Sequence, residues 1–241
     1  FLAFARLAHV QCVGWGHGVT TGIRSLDYFI SSKHLETDDT IAAASQYTEK
    51  LIRLSSPPTY LYPFDERFHE QEPMKPVAEG QTLYFCSQPL YKVHPDFDPI
   101  LIDILRRDKN GVAVFIEGHP NWCASLRKRW QAIDINVSKR ICFVPKLDKN
   151  AFQSMLAMSD VILDTIYFTG GISSAEALSL GTPVITYAGT PTMSGRVTYA
   201  YYQQVGVLDC IAYTLAEYVD IAVKLGTDKF WRDNVSANLK D

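Results

Sequence analysis

The sequence has five cysteines, Cys12, Cys86, Cys123, Cys142 and Cys210, and no CxxC pair among them. That removes the commonest zinc and dithiol-redox patterns. Scattered and set mostly among apolar residues, they read as reduced core thiols, which suits a cytoplasmic protein. His9, His34, His69, His94 and His119 show no metal-ligand spacing with acids or cysteines, so no metal site is expected. No apolar run approaches the roughly 18 residues of a membrane span, and no signal peptide is visible. An excess of basic charge is also missing. The net charge of −3 gives no general attraction to nucleic acid. No GKS or GKT follows a glycine-rich turn, which excludes a Walker A loop, and no full GxGxxG fingerprint occurs. No Ser/His/Asp or Cys/His arrangement can be read from sequence separation alone. Short repeats and low-complexity tracts are absent.

What is present is a chain of 241 residues, 47% hydrophobic and 20% charged, ample for one large core or two smaller ones. "FLAFARLAHVQCVGWGHGVTTG" reads as a helix end, a strand from His9 to Trp15 and a glycine-rich loop. "LDYFISS" and "KLIRLSS" read as strands, with a short helix or ordered loop in "DDTIAAASQYTEK" between them. Residues 57–80, rich in proline and acids without a sustained period, read as a linker between lobes. Strand and helix then alternate: strands in "TLYFCS", "GVAVFIEG", "RICFVP", "VILDT" and "TPVITY". Helices are expected in "HPDFDPILIDILRR", "NWCASLRKRWQAI", "NAFQSMLAMSD", "SSAEALSL", "GRVTYAYYQQVG" and "LAEYVDIAVKLGTD". The exposed face of "NWCASLRKRWQAI" is expected to carry Arg127, Lys128 and Arg129. Repeated strand–helix units predict an α/β fold, a parallel sheet covered on both faces. Residues 1–56 would end a first Rossmann-like lobe and residues 81–241 form a second, doubly wound one. Lacking an initiator Met and opening inside a helical pattern, the chain reads as a fragment.

Three places concentrate chemistry. In "LDTIYFTGGISSAEALSLGTPVIT" a Gly-Gly turn leads into a helix at the carboxyl end of a strand. Helix N-termini carry unpaired N–H groups and favour anions. Gly170 and Gly171 would let a diphosphate approach the backbone, and Ser173 or Ser174 would add a hydroxyl. The competing reading is a plain turn with a serine cap. Glu176, one turn in, is placed to accept from ribose hydroxyls, or is simply an acid in a helix's first turns. Lys92, in "CSQPLYKVHPDFD", again follows a strand. It would neutralise charge on a leaving diphosphate, unless it is a solvated loop lysine. His94, before a proline, reads as a helix-entry residue. In "GWGHGVTTG", Gly14, Gly16, Gly18 and Gly22 permit positive φ and close approach to a ligand. His17 is either an acid–base group or a structural turn residue.

"LAHVQCVGWGHGVTTGIRSLDYFISS", "SQPLYKVHPDFDPIL", "DVILDT…GGISSAEALSLGTPVIT" and "EYVDIAVKLGTD" together resemble the catalytic region of the O-linked N-acetylglucosamine transferases and their bacterial and SPINDLY-like relatives. The resemblance runs in consistent order over nearly the whole chain. It implies a GT-B glycosyltransferase with the nucleotide sugar in the cleft between two Rossmann-like lobes. Most of the first lobe and the tetratricopeptide repeats common upstream in the family would lie outside this chain. It also implies inverting, metal-independent and cofactor-free transfer of a sugar from a nucleotide diphosphate to protein Ser or Thr. Carried over, Lys92 matches the family's diphosphate lysine, and Gln88 lies near the glutamine beside it, with Pro89 as an extra residue. Gly171, Ile172 and Ser173 stand where the family holds phosphates with His-Thr-Thr. Glu176 replaces a ribose-contacting Asp. Lys149 matches a ribose-contacting lysine, and Phe152 replaces a uracil-stacking histidine. Gly16, His17 and Gly18 fall in the loop near sugar and acceptor, with Gly18 where relatives often have proline. The expected donor is UDP-GlcNAc and the acceptor a protein or peptide. Fucosyl transfer from GDP-fucose, another UDP-sugar enzyme of the same fold such as an epimerase, and a non-catalytic nucleotide-sugar-binding module remain alternatives.

Overall fold

The computed structural model describes residues 2–16, 18–60 and 76–240. His17 and the stretch 61–75, most of the expected linker, lie outside the described residues. Two parallel sheets organise the chain. The first contains β1 (Cys12–Gly14), β2 (Tyr28–Ser32) and β3 (Lys50–Leu54) in the order β1-β2-β3. Helix α1 (Thr40–Ser45) connects the last two, and Asp39 caps it by accepting from the N–H groups of Ile41 and Ala42. β1 is shorter than the strand expected from His9 to Trp15.

The second sheet has six strands: β4 (Thr82–Cys86), β5 (Gly111–Ile116), β6 (Ile141–Val144), β7 (Val161–Leu163), β8 (Val184–Tyr187) and β9 (Ile211–Ala212). All pair in parallel, in the order β6-β5-β4-β7-β8-β9. β4 and β5 are runs of apolar residues because both sheet faces are covered, which removes the polar alternation of a half-exposed strand. The two-residue β9 was not expected; nothing so short carries a period.

The helices of this unit are α2 (Phe97–Arg107), α3 (Pro120–Ile133), α4 (Lys149–Met158), α5 (Ile172–Ser179), α6 (Val197–Val205), α7 (Leu215–Thr227) and α8 (Lys229–Lys240). α2 buries Ile100, Leu101, Ile104 and Leu105, neighbours on one helical face. α7 opens with a reciprocal capping box between Thr214 and Glu217. One continuous core joins the six-stranded sheet to its helices. A smaller core packs Phe29 and Leu35 of the first unit against Met193, Val197 and Ala200 of the second.

Three expectations change. Arg129 is not on the solvated face of α3: its guanidinium pairs with the buried carboxylate of Asp98, Nε to Oδ2 at 2.7 Å. The cysteines are all free thiols, but Cys12 is exposed and Cys123 and Cys142 are half-buried, leaving Cys86 and Cys210 as core thiols. Among Gly14, Gly16, Gly18 and Gly22, a left-handed backbone occurs only at Gly22, with φ of 67°.

Candidate functional site

In the six-stranded sheet, chain progression runs one way from β4 through β5 to β6 and the other way from β7 through β8 to β9. The loops leaving β4 and β7 therefore diverge and open a crevice at their carboxyl ends, where doubly wound folds bind ligands. Lys92, Gln88 and the Gly170–Ser173 turn all belong to these two loops.

The structure joins them directly. Lys92 Nζ donates to Gln88 Oε1 at 2.9 Å and to the Thr169 carbonyl at 3.2 Å. It also sits 4.1 Å from the centre of the Phe168 ring, a favourable cation–π position. Gln88 Nε2 donates to Ser173 Oγ at 2.9 Å. Pro89 therefore does not displace Gln88 from the lysine. Burial pulls the Lys92 pKa down, and the nearby charge of Asp164 opposes that pull.

The β7 loop is fastened at nearly every residue. Thr165 Oγ1 donates to the Phe168 carbonyl and Thr190 Oγ1 to that of Ile166. The Thr169 N–H and hydroxyl both reach the Ser194 carbonyl. The Gly170 N–H donates inward to Asp164 Oδ1 at 2.8 Å, so it is not a donor to the crevice. Gly170 instead supplies room: a Cβ there would lie 2.1 Å from Ser174 Oγ and 2.7 Å from Gln88 Nε2. Gly171 is the N-cap of α5, and no side chain caps that helix. The serine-cap reading of the turn is thus not what the chain adopts: Ser173 receives Gln88, and Ser174 Oγ accepts from Thr198 Oγ1 at 2.9 Å. An uncapped helix start facing a crevice is an anion site in waiting.

The first unit forms the opposite wall. Trp15 lies over the turn; a Cβ on Gly171 would meet its ring at 3.2 Å. A Cβ on Gly18 would meet that of Ser194 at 3.1 Å. Gly16 is exposed with open space around it. Glu49 anchors this glycine loop by accepting from Thr20 Oγ1 at 2.7 Å, the Thr21 N–H at 2.9 Å and the Thr21 hydroxyl. Burial opposes its ionisation, yet the bonds from Thr21 and Thr20 prevail and hold the carboxyl at about 2.

Glu176, Lys149 and Phe152 gather at the α4–α5 side. Burial raises the Glu176 pKa, against the opposing pull of Lys149 and Gln153. The half-buried Phe152 ring packs edge-on to Phe85, centroids 6.2 Å apart. His94 accepts the Asp96 N–H through Nδ1 at 3.2 Å, as a helix-entry residue. Sequence reasoning passed over Trp15, Asp164, Phe168 and Thr169. Only "LDT", an acid ending an apolar strand, signalled any of them. Among the described residues no three His, Cys, Asp or Glu side chains cluster as metal ligands. No described helix is long and apolar enough to cross a membrane.

The fold defines a GT-B type unit, and the comparisons with known proteins agree. The model of glycosyl transferase family 41 matches residues 76–241. The chain belongs to that family. It is 24% identical over 241 residues to the probable UDP-N-acetylglucosamine–peptide N-acetylglucosaminyltransferase SPINDLY of Petunia hybrida, covering 98% of this chain and 25% of the relative. To the UDP-N-acetylglucosamine–peptide N-acetylglucosaminyltransferase of Caenorhabditis elegans it is 28% identical over 170 residues, 66% of this chain and 15% of that protein. A mutant O-GlcNAc transferase of Thermobaculum terrenum superposes with a TM-score of 0.80 at 25% identity, over 97% of this chain and 44% of that one. The chain spans about a quarter of the length of the SPINDLY relatives it matches.

The turn makes a direct prediction. Gly171→Asp should weaken UDP binding ten-fold or more (on the order of 1.4 kcal/mol), because a carboxylate would repel the diphosphate and a side chain would press on Trp15. Calorimetry on folded protein checks it. Unchanged affinity would place the nucleotide elsewhere.

Proposed function

We infer that this chain forms the donor-binding, leaving-group side of an inverting glycosyltransferase. The reaction moves a sugar, N-acetylglucosamine from UDP-GlcNAc, to Ser or Thr hydroxyls of proteins. The observation that carries this reading is the bridge Lys92–Gln88–Ser173 at the uncapped start of α5. It sets one ammonium and a fan of N–H groups around a single crevice, as departure of a diphosphate requires. The acceptor hydroxyl attacks the anomeric carbon in line while the bond to the β-phosphate oxygen breaks. Charge then grows on the diphosphate, where Lys92 and the N–H groups of Gly171, Ile172 and Ser173 receive it. The relatives' names, each a peptide N-acetylglucosaminyltransferase, support the donor and acceptor classes. Upstream tetratricopeptide repeats, a cytoplasmic location and transfer without metal or cofactor belong to the same reading.

Calorimetric titration with UDP-GlcNAc, UDP and GDP-fucose tests it. Binding of UDP-GlcNAc and UDP with little GDP-fucose is expected. Preference for GDP-fucose would make the donor a fucosyl one, and no binding by any would sink the reading. On the ribose side, the same reading has Glu176 accept from the hydroxyls and Phe152 stack on the base. A hydrogen bond to a charged group is worth about 1.5–3 kcal/mol. Glu176→Ala should therefore lower UDP affinity roughly ten-fold or more with the fold intact. Equal binding of ribose and deoxyribose nucleotides by the unmutated protein would remove that role.

A further inference from the structure

Asp164 directly follows β7, beneath the Gly170–Ser173 turn, and is 1% exposed. Its Oδ1 accepts the Gly170 N–H at 2.8 Å, and its Oδ2 accepts from Thr186 Oγ1 at 3.1 Å. Its own carbonyl accepts the Tyr218 hydroxyl at 2.8 Å. On one side β7 pairs with β4, through Tyr84↔Val161 and Phe85↔Ile162, and the chain leaving β4 carries Lys92. The carboxylate therefore lies behind the turn, and the ammonium closes the same loop from the other side through the Thr169 carbonyl. A buried acid beneath a site meant for a diphosphate is a paradox of charge. It stabilises Lys92 while the crevice is empty and repels the ligand when it arrives.

We propose that Asp164 is a positioning residue that holds the turn from beneath and that its buried charge opposes the arriving diphosphate, so that donor binding is coupled to uptake of a proton from solvent by its carboxyl. This rests on the crevice being the diphosphate site. Burial already pushes the Asp164 carboxyl up to about 6, against the bonds from Thr198, Gly170 and Thr186 and the charge of Lys92. A second negative charge in the same low-dielectric region, arriving with the donor and engaging Lys92, pushes it further in that direction. The proton adds to the carboxylate and leaves its hydrogen bond from Gly170 in place, since the other oxygen can carry it. The remaining titratable groups facing Asp164 are Cys86 from β4, Tyr202 from α6 and Tyr218 from α7. Burial raises Cys86 to about 12 and both tyrosines well above their ordinary value, so none changes charge near neutrality. Lys92 would also gain proton occupancy from the donor, but that uptake grows as pH rises, whereas uptake by Asp164 grows as pH falls toward 6.

UDP-GlcNAc is the probe, because its diphosphate is a diester with no proton titrating between pH 5 and 8; UDP itself has one. Binding to the intact protein is measured calorimetrically at pH 6.5 and 8.0, in pairs of buffers that differ in ionisation heat. The unmutated protein should take up a fraction of a proton, more at pH 6.5 than at 8.0. Asp164→Asn keeps an acceptor for Gly170 without the charge. It should abolish the pH 6.5 uptake while binding donor at least as tightly. Asp164→Ala removes the acceptor, and donor affinity should fall about ten-fold. Uptake persisting in Asp164→Asn, or no uptake in the unmutated protein despite donor binding, overturns the proposal and leaves the site standing. Failure of the unmutated protein to bind UDP-GlcNAc overturns both. Should Asp164→Ala not fold, the Asn variant alone decides.

Discussion

Lys92→Met should lower kcat for sugar transfer by on the order of 10²–10³, the range for losing a preorganised electrostatic contact. Donor affinity should fall less. The ammonium's contacts in the empty site are the Gln88 amide oxygen, the Thr169 carbonyl and the Phe168 ring. These hold its position without neutralising it. In the proposed reaction, charge on the β-phosphate grows as the glycosidic bond breaks, so its interaction with Lys92 would be stronger in the transition state than in the bound donor. Methionine is close in length and retains packing against Phe168, which separates lost charge from lost volume. A solvated loop lysine would give near-normal turnover at saturating donor. That result would remove Lys92 from the mechanism and leave the start of α5 as the main leaving-group stabiliser.

The parts of this site that were legible in the sequence are those announced by backbone chemistry. Gly170 and Gly171 between an apolar strand and a helix-forming run mark a turn, and the structure has one there, with Ser174 and Gln88 leaving no room for a Cβ at Gly170 and Trp15 close against Gly171. Strand–helix alternation predicted five of the six strands of the second sheet, because each of those is a short apolar run between breakers; the two-residue β9 carries no such signal. The partners were not legible. Gln88 reaching Ser173 spans 85 positions, and Lys92 reaching Thr169 spans 77; such pairings follow only from the order of strands, which no local period encodes. Asp164 illustrates the same limit. An acid after "VIL" reads as a strand end. Only the neighbouring loops show that its carboxylate is enclosed and that it consumes the Gly170 N–H expected to face a ligand. The resemblance matched the expected roles of Lys92 and Glu176 and implied one for Phe152, but not the order in which they are fastened together.

Arg129 shows how far a sequence pattern can mislead, and it carries the largest expected effect on stability. "LRKRW" on an amphipathic helix places three cations together, and three cations together read as a solvated face. Leu126 and Trp130 are buried, however, and Arg129 lies beside Trp130 at the edge of that face. Its Nη2 donates to Asp98 Oδ1 at 2.7 Å and to the Val93 carbonyl at 3.1 Å. Its Nε reaches Asp98 Oδ2, and the Trp130 indole N–H donates to Oδ1 at 2.8 Å. The Asp98 side chain is only 5% exposed and that of Arg129 29%, so this is not a surface pair of the kind worth about 0–1 kcal/mol. Arg129→Leu keeps apolar bulk and leaves a buried carboxylate with the indole as its remaining side-chain donor. Breaking a buried pair from one side costs roughly 3–5 kcal/mol, a large share of the ~5–15 kcal/mol of a typical domain. Denaturant unfolding should show that loss as a lower midpoint. Adding Asp98→Asn should recover part of it, because the two changes share one interaction and do not add. The Val93 carbonyl also loses its anchor one residue after Lys92, so donor affinity should fall modestly in the single variant. A stability change within about 0.5 kcal/mol, the range of ordinary surface substitutions, would return Arg129 to the solvated face that the sequence pattern suggests.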